Sequence, residues 1–171
     1  MSTEEQKEEA IRYFKQAYEL QMKGQLEEAE AMYKKSIETY ATAEAYTFLG
    51  WTYSFMARYD DAIEQCHMAI EIDPDFGNPY NDIGAYLIDK GMLDEAVSYL
   101  EKAIKASRYD SYCFPHFNLG RIWERKGKWF KAIEEYQLSL KENSKYTLAA
   151  EALNKLQAKM DGQGTAPLDI S

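Results

Sequence analysis

The 171-residue chain has little of what breaks or staples a backbone: four prolines, nine glycines and two cysteines. So few turn formers disfavour a protein of many short strands and favour long helices. Cys66 and Cys113 are too few for a disulfide framework and both fall in helical patterns, as expected of reduced thiols. Positive charge is also short, with 20 Lys and Arg against 29 Asp and Glu, for a net charge of −9. That balance argues against a general binder of nucleic acid or anionic membrane, since both need a basic footprint. No apolar run approaches the length that spans a membrane. The opening MSTEEQKEEA is acidic where a secretory signal would be apolar, so a cytoplasmic location is the default expectation.

What is present is core material: 46% apolar and 14% aromatic residues, with 14 tyrosines. One stretch departs from the acidic balance. Residues 101–131 carry eight Lys or Arg against three acids.

Four marks recur along the chain at the same three intervals. An opener of tyrosine type stands at Tyr13, Tyr46, Tyr80 and His116, and a small residue four later at Ala17, Gly50, Gly84 and Gly120. A turn residue follows at Gly24, Ala57, Gly91 and Gly127, then an alanine at Ala29, Ala62, Ala96 and Ala132. Each series steps by 33, 34 and 36 residues. Apolar residues flank these marks at helical spacing, as at Leu26, Tyr33 and Ile37 or Leu93, Leu100 and Ile104. Each unit therefore reads as two amphipathic helices joined at KGQ, ARY, KGM or KGK, where glycine suits the left-handed residue that ends a helix. The small residues allow the two helices to approach, and the aromatics beside them fill the remaining space.

With a period near 34 and the stretches YTFLGWTY, YNDIGAYL and FNLGRIW, each followed by an alanine-bearing second helix, the chain resembles the tetratricopeptide repeat family. The resemblance covers roughly residues 10–146 and implies an all-α fold: a right-handed superhelical solenoid of four helix-turn-helix repeats plus a C-terminal capping helix. The repeats are expected at about 10–42, 43–76, 77–112 and 113–146, within one domain over 1–160. Residues 146–160, apolar at Leu148, Leu153, Leu156 and Met160, read as the cap that covers the exposed end of the last repeat. A mobile tail is expected at 161–171. The sequence departs from the family at Ala57, at His116 and at the lengthened segment RYDSY, where an enlarged loop over 108–112 is expected.

In this family the off-core face of the first helices lines a concave groove. The corresponding residues here are Phe14 and Tyr18, then Trp51 and Phe55 beside Thr47, then Asn78 and Asn81 beside Asp82, and finally Phe117, Asn118, Arg121 and Arg125. Aromatics at such positions pack against neighbouring helices or face a ligand, and the sequence leaves both open. Arginine offers a planar fork for carboxylate. Family modules that grip a C-terminal carboxylate use lysine and asparagine where this chain has Phe14 and Tyr18, so that subtype is not expected.

Cys113 and His116 are spaced like half of a metal site, but no second pair accompanies them, and His116 fills a packing slot. No phosphate loop, dinucleotide fingerprint, zinc-protease motif or nucleophile elbow is present. The expectation is a non-catalytic module without cofactor or metal, binding a protein or peptide that carries an apolar segment and an acidic group. A self-assembling homo-oligomeric scaffold is the alternative, with an RNA-binding array a more distant one.

Overall fold

In the computed structural model, residues 1–163 are described, and they form helices joined by short turns. The chain divides into two compact units, one over Met1–Tyr109 and a second beginning at Asp110. The first unit holds three hairpins: α1 (Thr3–Met22) with α2 (Leu26–Thr39), α3 (Ala43–Phe55) with α4 (Tyr59–Ile72), and α5 (Asn78–Asp89) with α6 (Leu93–Lys105). The second holds α7 (Cys113–Arg125) with α8 (Trp129–Glu142), followed by α9 (Thr147–Gln163). The all-α repeat expected from the 34-residue period is thus what the chain forms. Residues 164–171, most of the expected tail, lie outside the described residues, whereas residues 161–163 continue α9.

Helix starts and stops follow local chemistry. The Glu-rich N-terminus belongs to α1, whose cap is Ser2: its hydroxyl accepts from the Glu5 amide at 3.3 Å, and the Glu5 carboxylate accepts from the Ser2 amide at 2.6 Å. Thr42 caps α3 in the same sense. Each hairpin turn bends at one residue in the left-handed region: Gly24 (φ 76°), Ala57 (φ 57°), Gly91 (φ 79°) and Gly127 (φ 71°). Ala57 adopts the glycine conformation despite its Cβ, and so holds strain that the other three turns lack.

Packing within each hairpin depends on the small residues. Ala17, Ala29, Ala62, Ala96 and Ala132 are fully buried. A Cβ added at Gly50 would lie 2.9 Å from the Ala62 carbonyl oxygen, and one at Gly120 would lie 2.4 Å from the Tyr136 ring. Along the first unit, α1 touches α3 and α3 touches α5, while α2, α4 and α6 make no contact of similar extent with one another. The first helices therefore lie on the inner side of this unit.

The connections between hairpins differ. Residues 40–42 and 73–77 join the first three, and the longer segment 106–112 follows α6. Its start is pinned rather than loose: the Gly77 amide donates to the Arg108 carbonyl at 3.1 Å, and the Arg108 amide donates to the Asp75 carbonyl at 2.9 Å. The Arg108 guanidinium lies over the Phe76 ring at 4.1 Å and reaches Asp73 at 2.7 Å and Glu44 at 3.0 Å. In the second unit, Leu156, Leu153 and Met160 of α9 pack on Ala132 and Tyr136, which is the covering role expected of the last helix. Leu148, counted in the same apolar series, is exposed.

Relief of the strained turn is measurable. Ala57→Gly should raise stability by up to about 1 kcal/mol and Gly91→Ala should lower it by a similar amount, read as opposite shifts in thermal midpoint. Equal or reversed shifts would contradict the strain at Ala57.

Candidate functional site

The inner side of the first unit carries a connected aromatic strip. Its hub is Phe48, whose ring meets Phe14 at 5.1 Å, Trp51 at 5.7 Å and Tyr18 at 5.9 Å between centroids, each edge-to-face. Phe14 also meets Tyr33 at 5.5 Å, and Trp51 meets Phe55 at 5.2 Å. Such pairs contribute about 0.5–1.5 kcal/mol each beyond the area they bury. The strip is therefore rigid as well as apolar. Phe14, Phe48 and Trp51 are half-buried, but Tyr18 and Phe55 are 41% and 57% exposed, which leaves aromatic surface open to solvent.

The structure brings four residues singled out by sequence, Phe14, Tyr18, Trp51 and Phe55, into this one surface. It adds Phe48, and it removes Thr47, which is buried with its hydroxyl donating to the Ala43 carbonyl at 2.7 Å. Periodicity alone could not distinguish Thr47 from Phe48, because adjacent residues on an inner helix straddle the same face.

On α5 the surface turns polar. Asn78 and Asp82 are half-buried, and Asn81 is buried, its amide lying 3.5 Å from the Asp82 carboxylate. Burial pushes the Asp82 carboxyl up to about 7, against a smaller opposing effect of the Asn81 hydrogen bond. The charge of Asp82 in turn raises the phenol of Tyr86 and the thiol of Cys66, both groups already raised by their own burial.

In the second unit, Phe114 and Phe117 pack edge-on to Tyr146 at 5.2 and 5.3 Å, and Phe117 lies 5.9 Å from Tyr136. Asn118 is buried and accepts a hydrogen bond from Arg121 Nη1 at 3.1 Å. Arg121 and Arg125, with Glu124 and with Lys159 from α9, line an open depression of about 390 Å³. Glu124 is held by the Tyr136 hydroxyl, which donates to it at 2.7 Å. Three cations around one acid leave the depression net positive, suited to a carboxylate. Lys159 could not be found from the repeat, since it lies on the helix outside the repeating pattern. His116 Nδ1 lies 2.7 Å from Glu135 on α8, and Cys113 is buried. Among the described residues no group of three or more His, Cys, Asp or Glu is placed to hold a metal ion, and no helix is long and apolar enough to cross a membrane.

The raised Asp82 carboxyl has a consequence for stability. Its folded value of about 7 exceeds the ordinary value of 3.8, so the folded chain retains a proton there that the unfolded chain releases. The stability from this group is fully present below the ordinary value and is lost as pH rises through about 7. Asp82→Asn should therefore gain in thermal midpoint relative to wild type on going from pH 5 to pH 8. A difference independent of pH would show that Asp82 titrates normally.

Residues 43–76 and 78–110 each match a family model described as the tetratricopeptide repeat. The chain is 28% identical over 134 residues to tetratricopeptide repeat protein 29 of Macaca fascicularis, an alignment covering 72% of this chain and 27% of that protein. Among solved structures, pilF of Pseudomonas aeruginosa superposes with a TM-score of 0.84 at 22% identity, covering 92% of this chain and 71% of that one. YrrB, described as a TPR protein with an unusual peptide-binding site, superposes with a TM-score of 0.67 at 21% identity, covering 84% of this chain and 73% of that one. The solved structures carry the fold, and the two matched stretches identify residues 43–76 and 78–110 as tetratricopeptide repeats.

Proposed function

We propose that the protein is a non-catalytic adaptor that binds a peptide segment or partner protein on the inner faces of its first helices. The observation that carries this reading is the strip built around Phe48. It is held together by ring contacts, edge-to-face around Phe48, and ends in Tyr18 and Phe55, whose rings are exposed among the described residues. Rigid aromatic surface binds at low entropic cost, which is why aromatic residues predominate among interaction hot spots.

Each unit offers its own chemistry. The first presents Phe14, Tyr18, Trp51 and Phe55 to apolar side chains, with the half-buried Asn78 on the adjoining helix as an amide for a peptide backbone and the buried Asn81 behind it. The second presents Arg121 and Arg125 to an acidic group, with Phe117 and Asn118 supporting them. In this reading the adaptor works in the cytoplasm and needs no cofactor. A second reading, a self-assembling scaffold, is favoured by the edge of the first hairpin: an apolar cavity of about 380 Å³ opens there between Ala10, Ile11 and Phe14 of α1, Ser36 and Tyr40 at the end of α2, and Thr42. Light scattering across concentration separates the two, since the adaptor stays monomeric and the scaffold gains mass.

Two variants test the adaptor reading against a captured partner. Trp51→Ala should cost about 2 kcal/mol of binding while helicity is retained. Arg121→Glu should weaken capture and remove its dependence on salt, because the attraction to the partner's acidic group is lost. If Trp51→Ala unfolds the protein and residual binding persists, the strip is core and the ligand site lies elsewhere.

A further inference from the structure

Two of the inner helices of the first unit, α3 and α5, carry acid without base. Neither 43–57 nor 78–89 contains a lysine or arginine, and α3 and α5 between them hold Glu44, Asp82 and Asp89. Glu44 is engaged by Arg108, and Asp89 has its own interactions. Asp82 differs from both. It is half-buried with no ion pair among the described residues, and its contact with the Asn81 amide, at 3.5 Å, is at the limit of a hydrogen bond.

A second polar group close by is also unsatisfied. The Tyr86 ring, one turn further along α5, is 6% exposed, and its hydroxyl finds no hydrogen-bond partner among the described residues. The nearby Ser54 hydroxyl donates instead to the Trp51 carbonyl, at 2.7 Å. Asp82 stands 34 residues after Phe48, one repeat on, so the register gives it on α5 the place that the hub of the aromatic strip has on α3. A carboxylate with one long contact and a buried hydroxyl without a partner thus share one face of α5, the Tyr86 ring lying 6.3 Å from that of Tyr59.

We propose that Asp82 and Tyr86 form a subsite for an arginine side chain of the partner segment, whose apolar neighbours lie on Tyr18, Trp51 and Phe55. This rests on the adaptor reading and names the chemistry of its ligand. Arginine suits the subsite better than lysine because its planar fork donates to more than one oxygen, is weakly hydrated and stacks on aromatic rings. A buried carboxylate without a counter-charge costs free energy, and a guanidinium arriving from the partner removes that cost at the moment of binding. Cys66 on α4 is the other titratable group coupled to Asp82, and as a buried thiol it supplies no positive charge.

The test follows the Asp82 carboxyl carbon by NMR in the full chain, using two N-acetylated tripeptide amides, Leu-Arg-Leu and Leu-citrulline-Leu. Citrulline keeps the shape of arginine without its charge. Leu-Arg-Leu should lower the Asp82 titration midpoint by about one pH unit, a tenfold change in proton affinity. It should also bind about tenfold tighter than the citrulline peptide above pH 7, and Asp82→Asn should reduce it to the citrulline level at unchanged helicity. If the two peptides bind alike and the midpoint stays fixed, the arginine subsite is wrong while the strip remains a binding surface. If neither peptide binds, the subsite and the strip both fall.

Discussion

How close two helix backbones can come is the constraint on which everything else here depends. In three hairpins a glycine on the first helix lies directly against the second: Gly50 against Ala62, Gly84 against Leu100 and Gly120 against Tyr136. The margins are narrow: a single added methyl at Gly120 or Gly50 would meet a ring or a carbonyl oxygen below van der Waals distance. Because the small residues consume so little volume, the larger side chains are displaced to the flanks of each hairpin. On the inner flank of the first unit they gather as the Phe48 strip, so the surface available to a partner is a by-product of how the core is closed.

The hairpins do not close in the same way. In the first, the Tyr33 hydroxyl donates to Gln21 at 2.7 Å and the Ser36 hydroxyl to the Ala10 carbonyl at 2.8 Å. In the fourth, Tyr136 donates to Glu124 and Ser139 to the Cys113 carbonyl, each at 2.7 Å. The middle two have Cys66 and Ala69, or Leu100 and Ala103, at the corresponding places, all fully buried. At these equivalent places two hairpins thus lock their helices with directional bonds and two with apolar contact. The directional pairs fix the rotation of one helix about the other, whereas apolar contact tolerates small slides.

Helices and turns were legible because the period repeats in four independent marks, and a 34-residue interval carried through the chain leaves little freedom in where each helix sits. Ala57 shows the strength of that pattern: tertiary packing holds an alanine in a left-handed turn that its own preference opposes. The site was less legible, for a physical reason. Phe14, Tyr18, Trp51 and Phe55 could be placed on the inner face, but which of two adjacent residues points outward depends on helix rotation, and so Thr47 was read in place of Phe48. Asp82 could be seen to lie off the core, while its unpaired, half-buried state emerges only once α3 and α4 are packed beside it. Arg108 could be placed in the lengthened segment RYDSY, but nothing in the sequence pairs it with Glu44 and Asp73.

Arg108 changes how the first unit can come apart. A stack of repeats ordinarily gains its stability from neighbours alone, so that one end can fray while the rest persists. Arg108 breaks that locality: its side chain bonds to Glu44, 64 residues earlier, and its backbone is laced to the connection between α4 and α5. Losing the third hairpin therefore costs contacts at the start of the second as well as at their shared interface. The exposed ion pair contributes little free energy by itself, but together with the two backbone hydrogen bonds and the contact over Phe76 it couples separate repeats into one opening event. Hydrogen exchange through this stretch then reports a cooperative block rather than a gradient from the edge inward.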